Sequence, residues 1–351
     1  STNGLTNATA TTATATATTA TATATTATAT ATTSTATTST ATTSGDLPGV
    51  LPKNVIFYDQ YNGDNREFRY ISPNGTGDSL YFTLPPLFDS FAPNPVKENQ
   101  YFFAARSSDT ARAGIYRNSR ISLSGATEIV GPTYGLGVYG MQVSNDGKYL
   151  VYTATVNEEL PRMFVVNLQA PTAPPVVIDQ ADRFHISPDV RKVVYSKLVG
   201  GTGDDIFVRD FPTGANMVNL TNDPEADDNY PQFTVDNKKI VFSSDRGTRT
   251  DYDLYSILVG GGSLTRLTNT PDEFEIGATF SPTGAEVAYS LLTGTQVGNG
   301  LYRKGIADDA TRVLVKEAEG INETRWTGSN GKANTTGVNV GLNARKKKQA
   351  Q

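Results

Sequence analysis

The chain of 351 residues contains no cysteine, a single histidine and a single tryptophan. The lack of cysteine excludes disulfides, thiolate catalysis and cysteine-ligated metals. A metal site built from several imidazoles is also excluded, and a catalytic triad would have to use His185 as its base. No apolar run approaches the ~20 residues that are needed to span a bilayer.

Basic charge is scarce, and the formal net charge is −5. A nucleic-acid-binding domain normally presents a basic face, so the composition argues against nucleic acid as a partner. The one run of basic residues lies at 345–348, and we predict a flexible basic tail over residues 329–351.

Residues 8–44 consist almost entirely of Thr and Ala, with a few Ser. Such a segment has no large apolar side chains to offset its ordering entropy, so we predict an extended tether over residues 1–48. Two alternatives stay open. Dense Thr is typical of stalks that carry O-linked sugars, which would place glycosylation on the Thr residues from Thr9 to Thr43. Alternating Thr and Ala could also pair with a sheet edge in another chain and cause self-association.

The remaining residues are rich in aromatic residues and turn formers, with 16 Tyr, 15 Phe, 32 Gly and 18 Pro, which favours an all-β domain. A pattern recurs at intervals of about 47 residues, in which an apolar residue precedes a small residue and a tight turn. Its six instances are Phe91-Ala92, Val143-Ser144, Ile186-Ser187, Phe233-Thr234, Phe280-Ser281 and Trp326-Thr327. Six repeats of this length predict a propeller or a solenoid.

Each repeat continues with a strand and two further strands after polar loops. The clearest second strands are KYLVYT, RKVVYS, KKIVFS and AEVAYS. Four antiparallel strands make a propeller blade. Three strands precede the instance at Phe91-Ala92, and the last instance, Trp326-Thr327, lies on a lone strand, residues 322–327. We therefore predict a six-bladed propeller over residues 49–328, closed by pairing of this C-terminal strand with residues 54–58.

The segments FSPTGAEVAYS, from Phe280, and FTVDNKKIVFSSDRG, from Phe233, resemble the WD-like propeller repeat of the TolB family. The resemblance covers nearly all of residues 50–328, is strong in the predicted blades three to six, which carry Val143, Ile186, Phe233 and Phe280, and is weak in blades one and two. Ile186-Ser187-Pro188-Asp189-Val190 departs from it by lacking the turn Gly. The resemblance implies a six-bladed propeller that serves as a protein-binding module. The resemblance does not extend to the N-terminal α/β domain of TolB, in whose place we expect only the tether formed by the Thr/Ala tract.

One polar position precedes the apolar residue of every repeat. Its members are Ser90, Gln142, His185, Gln232, Thr279 and Arg325. We interpret the position as a hydrogen-bonding site near the channel or a blade interface, with ligand binding, or catalysis by His185, as the alternative. Acidic residues gather at Asp223, Asp227 and Asp228, where oxygen-rich loops either cap turns or bind Ca²⁺. No other cofactor is expected.

The leading hypothesis is a non-enzymatic, extracytoplasmic bacterial binding module in the periplasm, at the cell surface or in the extracellular space. Its propeller would present one face to a protein or glycan, and the tether would hold the propeller in place. In one form of this hypothesis the full precursor carries a lipid anchor ahead of the tether. We expect binding loops at Asp59–Arg66, Ser107–Ala113 and Gly200–Asp205. One alternative is a subunit of an extracellular filament or surface layer. Another is a hydrolase or lyase that acts on carbohydrate or peptide with channel carboxylates.

Overall fold

The computed structural model describes most of the chain between residues 52 and 327. The described ranges are 52–62, 65–84, 87–97, 99–106, 113–132, 137–156, 160–200, 203–247, 250–293, 299–306, 311–318, 321 and 324–327. The predicted tether and the predicted basic tail lie outside these residues. Within the described ranges there is no α-helix, and hence none with the length and hydropathy of a membrane span.

Blades two and three take all four strands from consecutive segments, and blade one takes three of its four strands in this way. Blade one begins with β1 (Ile56–Asn62), β2 (Asn65–Ile71) and β3 (Ser79–Leu84). Blade two contains β4 (Phe88–Pro93), β5 (Tyr101–Arg106), β6 (Ala113–Asn118) and β7 (Thr127–Val130). Blade three contains β8 (Gly137–Val143), β9 (Tyr149–Thr155), β10 (Arg162–Asn167) and β11 (Val176–Gln180).

The last three blades follow the same order. Blade four contains β12 (Phe184–Ile186), β13 (Lys192–Val199), β14 (Gly203–Asp210) and β15 (Val218–Asn219). Blade five contains β16 (Asp228–Phe233), β17 (Lys239–Ser244), β18 (Asp253–Leu258) and β19 (Thr265–Arg266). Blade six contains β20 (Glu273–Phe280), β21 (Glu286–Thr293), β22 (Gly300–Gly305) and β23 (Val313–Glu317). The last strand is β24 (Thr324–Trp326).

Every blade is a four-stranded antiparallel sheet, and blade one has the strand order β24-β1-β2-β3. The first strands of neighbouring blades contact one another, which places them at the centre of the ring. The predicted all-β, six-bladed propeller with closure by the C-terminal strand is therefore confirmed.

We call the end of the ring that carries the turns between the first and second strands of each blade the hairpin end. The other end, where the chain passes from one blade to the next, is the linker end.

The core of the ring consists of six hydrophobic clusters, and each one joins two neighbouring blades. The apolar residues of the repeat are distributed one to a cluster. They are Phe91, Val143, Ile186, Phe233, Phe280 and Trp326, and all are buried. Because a blade buries both faces only between two neighbours, the ring is stable only when every blade is in place.

Where the small residue of the repeat is Ser or Thr, its hydroxyl holds the hairpin that follows it. The Ser144 hydroxyl donates to Asp146 Oδ1 at 2.6 Å and accepts the Tyr149 amide hydrogen with an N···O distance of 3.0 Å. Ser187 repeats both contacts with Asp189 and Lys192, at 2.7 and 2.8 Å. This is why a Ser or Thr precedes an Asp in these turns: the pair satisfies backbone amides that a tight turn exposes.

The closure of the ring reproduces this hairpin between the two ends of the described chain. Ile56 pairs with Trp326 and Tyr58 with Thr324 in antiparallel register. Thr327 takes the place of the turn serine: its hydroxyl accepts the Val55 amide hydrogen at 3.1 Å, and its own amide donates to Val55 O at 2.9 Å. The two segments thus meet as a hairpin without a covalent turn.

Replacing the tryptophan of the closing strand should destabilise the whole ring. Trp326 is buried in the cluster between blades six and one, so Trp326→Ala should lower the free energy of unfolding by about 3–5 kcal/mol in chemical denaturation. Leu314→Ala, at a half-exposed position of the outer strand β23, serves as the control and should cost less than about 1 kcal/mol. Equal stability of the two variants would show that the closing strand does not hold the ring.

Candidate functional site

The six polar residues of the repeat lie at one level of the innermost strands, close to the hairpin end. All six are buried: Ser90, Gln142, His185, Gln232, Thr279 and Arg325. They occupy β4, β8, β12, β16, β20 and β24 in turn. The repeat therefore brings them together around the axis, as the shared register predicts, while their role in ligand binding stays a prediction.

Two of these side chains connect their blade to the next one. Gln142 Oε1 accepts the amide hydrogen of Ile186 at 3.0 Å, and His185 Nδ1 accepts the amide hydrogen of Phe233 at 3.0 Å. In both cases the donor is the apolar residue of the following repeat. An unpaired buried amide would cost about 1–3 kcal/mol, so these contacts satisfy groups that the ring would otherwise leave unpaired.

His185 is held as a neutral imidazole. Burial places its pKa well below the ordinary value of 6.5, and the positive charge of Arg325 lowers the pKa further. Because Nδ1 accepts a hydrogen bond, the proton of the neutral ring is on Nε2. In a catalytic triad Nδ1 would instead donate to a carboxylate. The weak catalytic assignment of His185 stays a prediction, and one of its nitrogens already has a structural partner.

The three acidic residues proposed for calcium lie in the connection from blade four to blade five, and each faces a different partner. Asp223 Oδ1 accepts the Glu225 amide hydrogen at 3.3 Å, Asp227 Oδ1 accepts that of Asp204 at 3.0 Å, and Asp228 Oδ2 pairs with Arg246 Nη2 at 2.6 Å. Over the described ranges, no group of three acidic or His side chains could hold a metal ion. The calcium assignment stays a prediction without support from this geometry.

Two of the three predicted binding loops are shorter than expected, because strands occupy much of the predicted ranges. β1 and β2 extend through Asp59 and Arg66, which form a buried ion pair at 2.8 Å. β14 begins at Gly203 and includes Asp205. Both loops connect the second strand of a blade to the third, so the strand ends that flank them lie at the linker end. Residues 107–112 lie outside the described ranges.

A capping arrangement at the linker end occurs in two blades and escaped the sequence analysis. Asp205 Oδ1 in blade four accepts the Asp223 amide hydrogen, and Asp253 Oδ1 in blade five accepts that of Thr270, both at 3.1 Å. The sequence signal is an Asp at the start of the third strand followed by Leu-Thr-Asn at the end of the fourth. The carboxylate fixes the path by which the chain leaves the blade.

Glu275 is the second group that the sequence analysis missed. Five residues before the apolar residue of the repeat, three blades carry the buried apolar residues Val138, Ala181 and Ile321. Blades five and six carry the buried acids Asp228 and Glu275 at this position. The sequence signal for Glu275 was an acidic residue at a position of the repeat that is apolar in three other blades.

The two acids differ in their surroundings. Asp228 pairs with Arg246, whereas Glu275 Oε1 accepts a hydrogen bond from the Thr270 hydroxyl at 3.0 Å. Burial raises the pKa of Glu275 to about 7, and the negative charges of Asp253 and Glu273 act in the same direction. Two threonine hydroxyls only partly oppose this shift. Glu275 is therefore partly protonated at neutral pH.

Comparison with known proteins supports the fold and leaves the activity open. The sequence matches no protein-family model and no curated protein. Among solved structures, TolB from Acinetobacter baumannii is 21% identical with a TM-score of 0.59, over 79% of this chain and 68% of that one. A TolB-like protein from Agrobacterium tumefaciens is 15% identical with a TM-score of 0.57, over 81% and 96%.

A puromycin hydrolase is also similar, at 15% identity and a TM-score of 0.51, over 75% of this chain and 47% of the hydrolase. The match thus spans about half of the enzyme. All of these identities are low, so the likeness defines the class of fold and does not transfer an activity. The chain has the six-bladed β-propeller fold that is found in TolB.

The raised pKa of Glu275 makes stability depend on pH. An acid with a higher pKa in the folded chain than in the unfolded chain, here about 7 against 4.5, binds its proton more tightly when folded. Proton binding to Glu275 therefore stabilises the folded chain by about 3 kcal/mol below pH 4.5, relative to alkaline pH. This stabilisation is lost as the pH rises through 7. Glu275→Gln should flatten this part of the profile and stabilise the protein at pH 8.

Urea denaturation at pH 5 and pH 8 measures the effect. Glu128→Gln, on the exposed part of β7, is the matched control and should leave the wild-type pH profile unchanged. If Glu275→Gln keeps the full pH dependence of the wild type, the titrating group lies elsewhere.

Proposed function

We propose that this chain is a non-enzymatic, extracytoplasmic binding module whose linker end docks on a protein or glycan partner. The TolB-type fold supports a scaffold role. Each blade interface has its own hydrophobic cluster, and a rigid ring of this kind can position divergent loops. Two of the polar side chains near the axis have structural partners, which favours binding over chemistry at that level.

The observation that carries this proposal is the difference in charge between the two ends of the ring. At the hairpin end, each acid of three turns has a basic partner two residues later. These pairs are Asp146–Lys148 at 3.5 Å, Asp189–Arg191 at 4.0 Å and Asp236–Lys238 at 3.8 Å. Charge at these turns is therefore balanced locally.

The linker end of blades four to six has an excess of carboxylates. Three arginines there already have acidic partners: Arg246 pairs with Asp228, Arg266 with Asp253 and Arg312 with Glu273. Further acids lie on the two linkers, where Glu225 and Asp272 are exposed and Asp223 is half-buried. This excess would attract a partner with basic groups and orient it on the ring.

Aromatic side chains accompany the acids at this end. Tyr252 and Phe274 are half-buried with ring centroids 6.0 Å apart, and Tyr230 lies below the Arg183 guanidinium at 4.8 Å. Half-buried aromatic rings beside carboxylates suit both protein side chains and sugar rings. The partner class that we propose is accordingly a basic protein surface or a glycan.

The Thr/Ala tract would act as the stalk that holds the propeller away from a membrane, a surface or a fibre. Its glycosylation on Thr9 to Thr43 is the finer form of this proposal. Intact-mass measurement tests it directly, because each hexose adds a defined increment to the mass of the sequence. An unmodified mass from the native source would leave the stalk without sugars.

Binding through the linker end can be tested with a displayed peptide library and a glycan array as probes of the full chain. Probes selected on the wild type should lose at least about tenfold in affinity for the double variant Glu225→Gln/Asp272→Asn, because two exposed carboxylates of the docking face are removed. The double variant Asp146→Asn/Asp236→Asn neutralises the same number of charges at the hairpin end. It should change affinity less than about twofold.

Two outcomes would contradict the proposal. Probes that weaken only with the hairpin-end variant would place the docking face at the wrong end. Turnover of peptide or glycoside substrates by the purified chain, lost on substitution of a channel carboxylate, would make the protein an enzyme.

A further inference from the structure

Blade one carries an Asn-x-Thr motif that the proposed function does not use. Such a motif is the acceptor sequence for N-linked sugars in chains that reach a glycosylating compartment. Its five instances in this chain begin at Asn7, Asn74, Asn219, Asn322 and Asn334. The described ranges contain the whole motif at Asn74-Gly75-Thr76 and at Asn219-Leu220-Thr221, so the fold can be compared at these two.

Asn74 lies in the turn between β2 and β3. Residues 72–75 form a β-turn in which the Gly75 amide donates to Ser72 O at 2.8 Å. Pro73 suits the second position of such a turn, and Gly75 has a φ of 83°, in the region that favours glycine. The turn therefore presents Asn74 in one backbone conformation at the surface, where its side chain is exposed.

The two essential residues of this motif contact each other. Asn74 Oδ1 accepts hydrogen bonds from the Thr76 hydroxyl at 2.7 Å and from the Thr76 amide at 3.1 Å. Both contacts use the oxygen of the carboxamide, so Nδ2 stays available at the surface. Thr76 is exposed as well, and a transferase can therefore reach the whole motif without unfolding the blade.

Asn219 has the same motif in the opposite condition. It is half-buried in β15, where its backbone pairs with Phe207. Its Nδ2 donates to Asp205 Oδ2 at 2.8 Å, and the Thr221 hydroxyl donates to Asp205 Oδ1 at 3.2 Å. The nitrogen that would carry a sugar and the hydroxyl of the motif are therefore both used by the cap at the end of blade four.

The turn that carries the exposed motif is also held against blade six. Arg303 Nε donates to Pro73 O at 2.8 Å, and a Cβ on Gly75 would lie 2.8 Å from Val315 O. The turn thus lies beside β23, the outermost strand of blade six, at the seam where the ring closes. Residues 313 and 314 of β23 are apolar and exposed, and an apolar edge of this kind can pair with another chain.

We propose that Asn74 carries an N-linked glycan, added by a transferase that uses a lipid-linked pyrophosphate sugar as its donor. Asn74 Nδ2 forms a bond to the anomeric carbon of the sugar while the bond from that carbon to the pyrophosphate oxygen breaks. Nδ2 gives up one proton to a base of the transferase, and the lipid pyrophosphate leaves. No oxidant or reductant is needed.

The glycan would lie at the hairpin end of the ring. In an antiparallel blade the turn between the third and fourth strands is at the same end as the turn between the first and second. The sugar would shield the edge of β23 and leave the linker end open for a partner. The inference rests on the extracytoplasmic location in the proposed function, because such transferases act there, and not on the docking face.

Site-localised mass spectrometry of the chain from its native source tests the inference. Trypsin releases peptide 70–97, whose one motif is at Asn74, and peptide 210–238, whose one motif is at Asn219. We expect a sugar mass on Asn74 and an unmodified Asn219. An unmodified Asn74 overturns the inference and leaves docking at the linker end untouched, because docking is measured with charge variants outside this turn.

A reconstituted transfer reaction shows whether the fold selects the site. The full chain, purified from a host without the transferase, is incubated with a single-subunit oligosaccharyltransferase and a lipid-linked donor. Asn74 should be modified at least about tenfold faster than Asn219, because Asn219 is reached only when β15 opens locally. A tryptic digest of the same chain should lose this preference. Equal rates in the folded chain, or an unchanged preference in the digest, would overturn selection by the fold.

Variants of the turn assign the reaction to the motif. Thr76→Ala removes the hydroxyl beside the Asn74 carboxamide and should slow the modification of Asn74 at least about tenfold, whereas Thr76→Ser should retain it. Ser79→Ala is the matched control, because the Ser79 hydroxyl donates to Gly77 O at 3.1 Å in the same turn but lies outside the motif. It should react like the wild type. Wild-type rates for Thr76→Ala would show that the contact within the motif has no role.

Discussion

The antiparallel pairing of β24 with β1 is the constraint on which the rest of the structure depends. A propeller blade buries its faces only against two neighbours, so an open ring would expose the faces on both sides of the gap. In this chain the last contact is made by a strand of three residues, Thr324–Trp326. Three features compensate for its brevity: the buried Trp326 ring, the Thr327 hydroxyl and the Thr324 hydroxyl, which donates to Gly277 O of blade six at 2.7 Å.

Closure also explains why polar residues are retained beside the axis. The innermost strands converge there, and their amides cannot all pair within their own sheets. A side chain with an acceptor at the right level satisfies the amide of the next blade, as Gln142 and His185 do. A substitution at this position therefore affects the contact between two blades as well as the polar level near the axis.

The fold could be predicted in detail because its signals are local. A Ser or Thr followed by Asp marks the hairpin, and the aromatic residues of the second and third strands stack across each sheet, as Tyr195 and Phe207 do at 5.8 Å. Blade one was harder to recognise, since Arg69 lies opposite Tyr58, where other blades pair two aromatic rings. Arg69 instead pairs with Asp78 at 3.2 Å, and Asp78 immediately precedes β3, the outermost strand of blade one.

The candidate sites could be predicted only in part, because their partners come from distant parts of the chain. The shared register of the six polar residues was visible in the sequence, whereas the donor left on His185 depends on an amide 48 residues away. Asp228 and Glu275 occupy one register and still differ, since Arg246 lies two residues after β17 and the equivalent position is Thr293, the last residue of β21. Burial raises the pKa of both acids, but in blade five the charge of Arg246 opposes that shift, whereas the pKa of Glu275 reaches about 7. A repeat can fix where a side chain lies, but its ionisation follows from neighbours that each blade supplies separately.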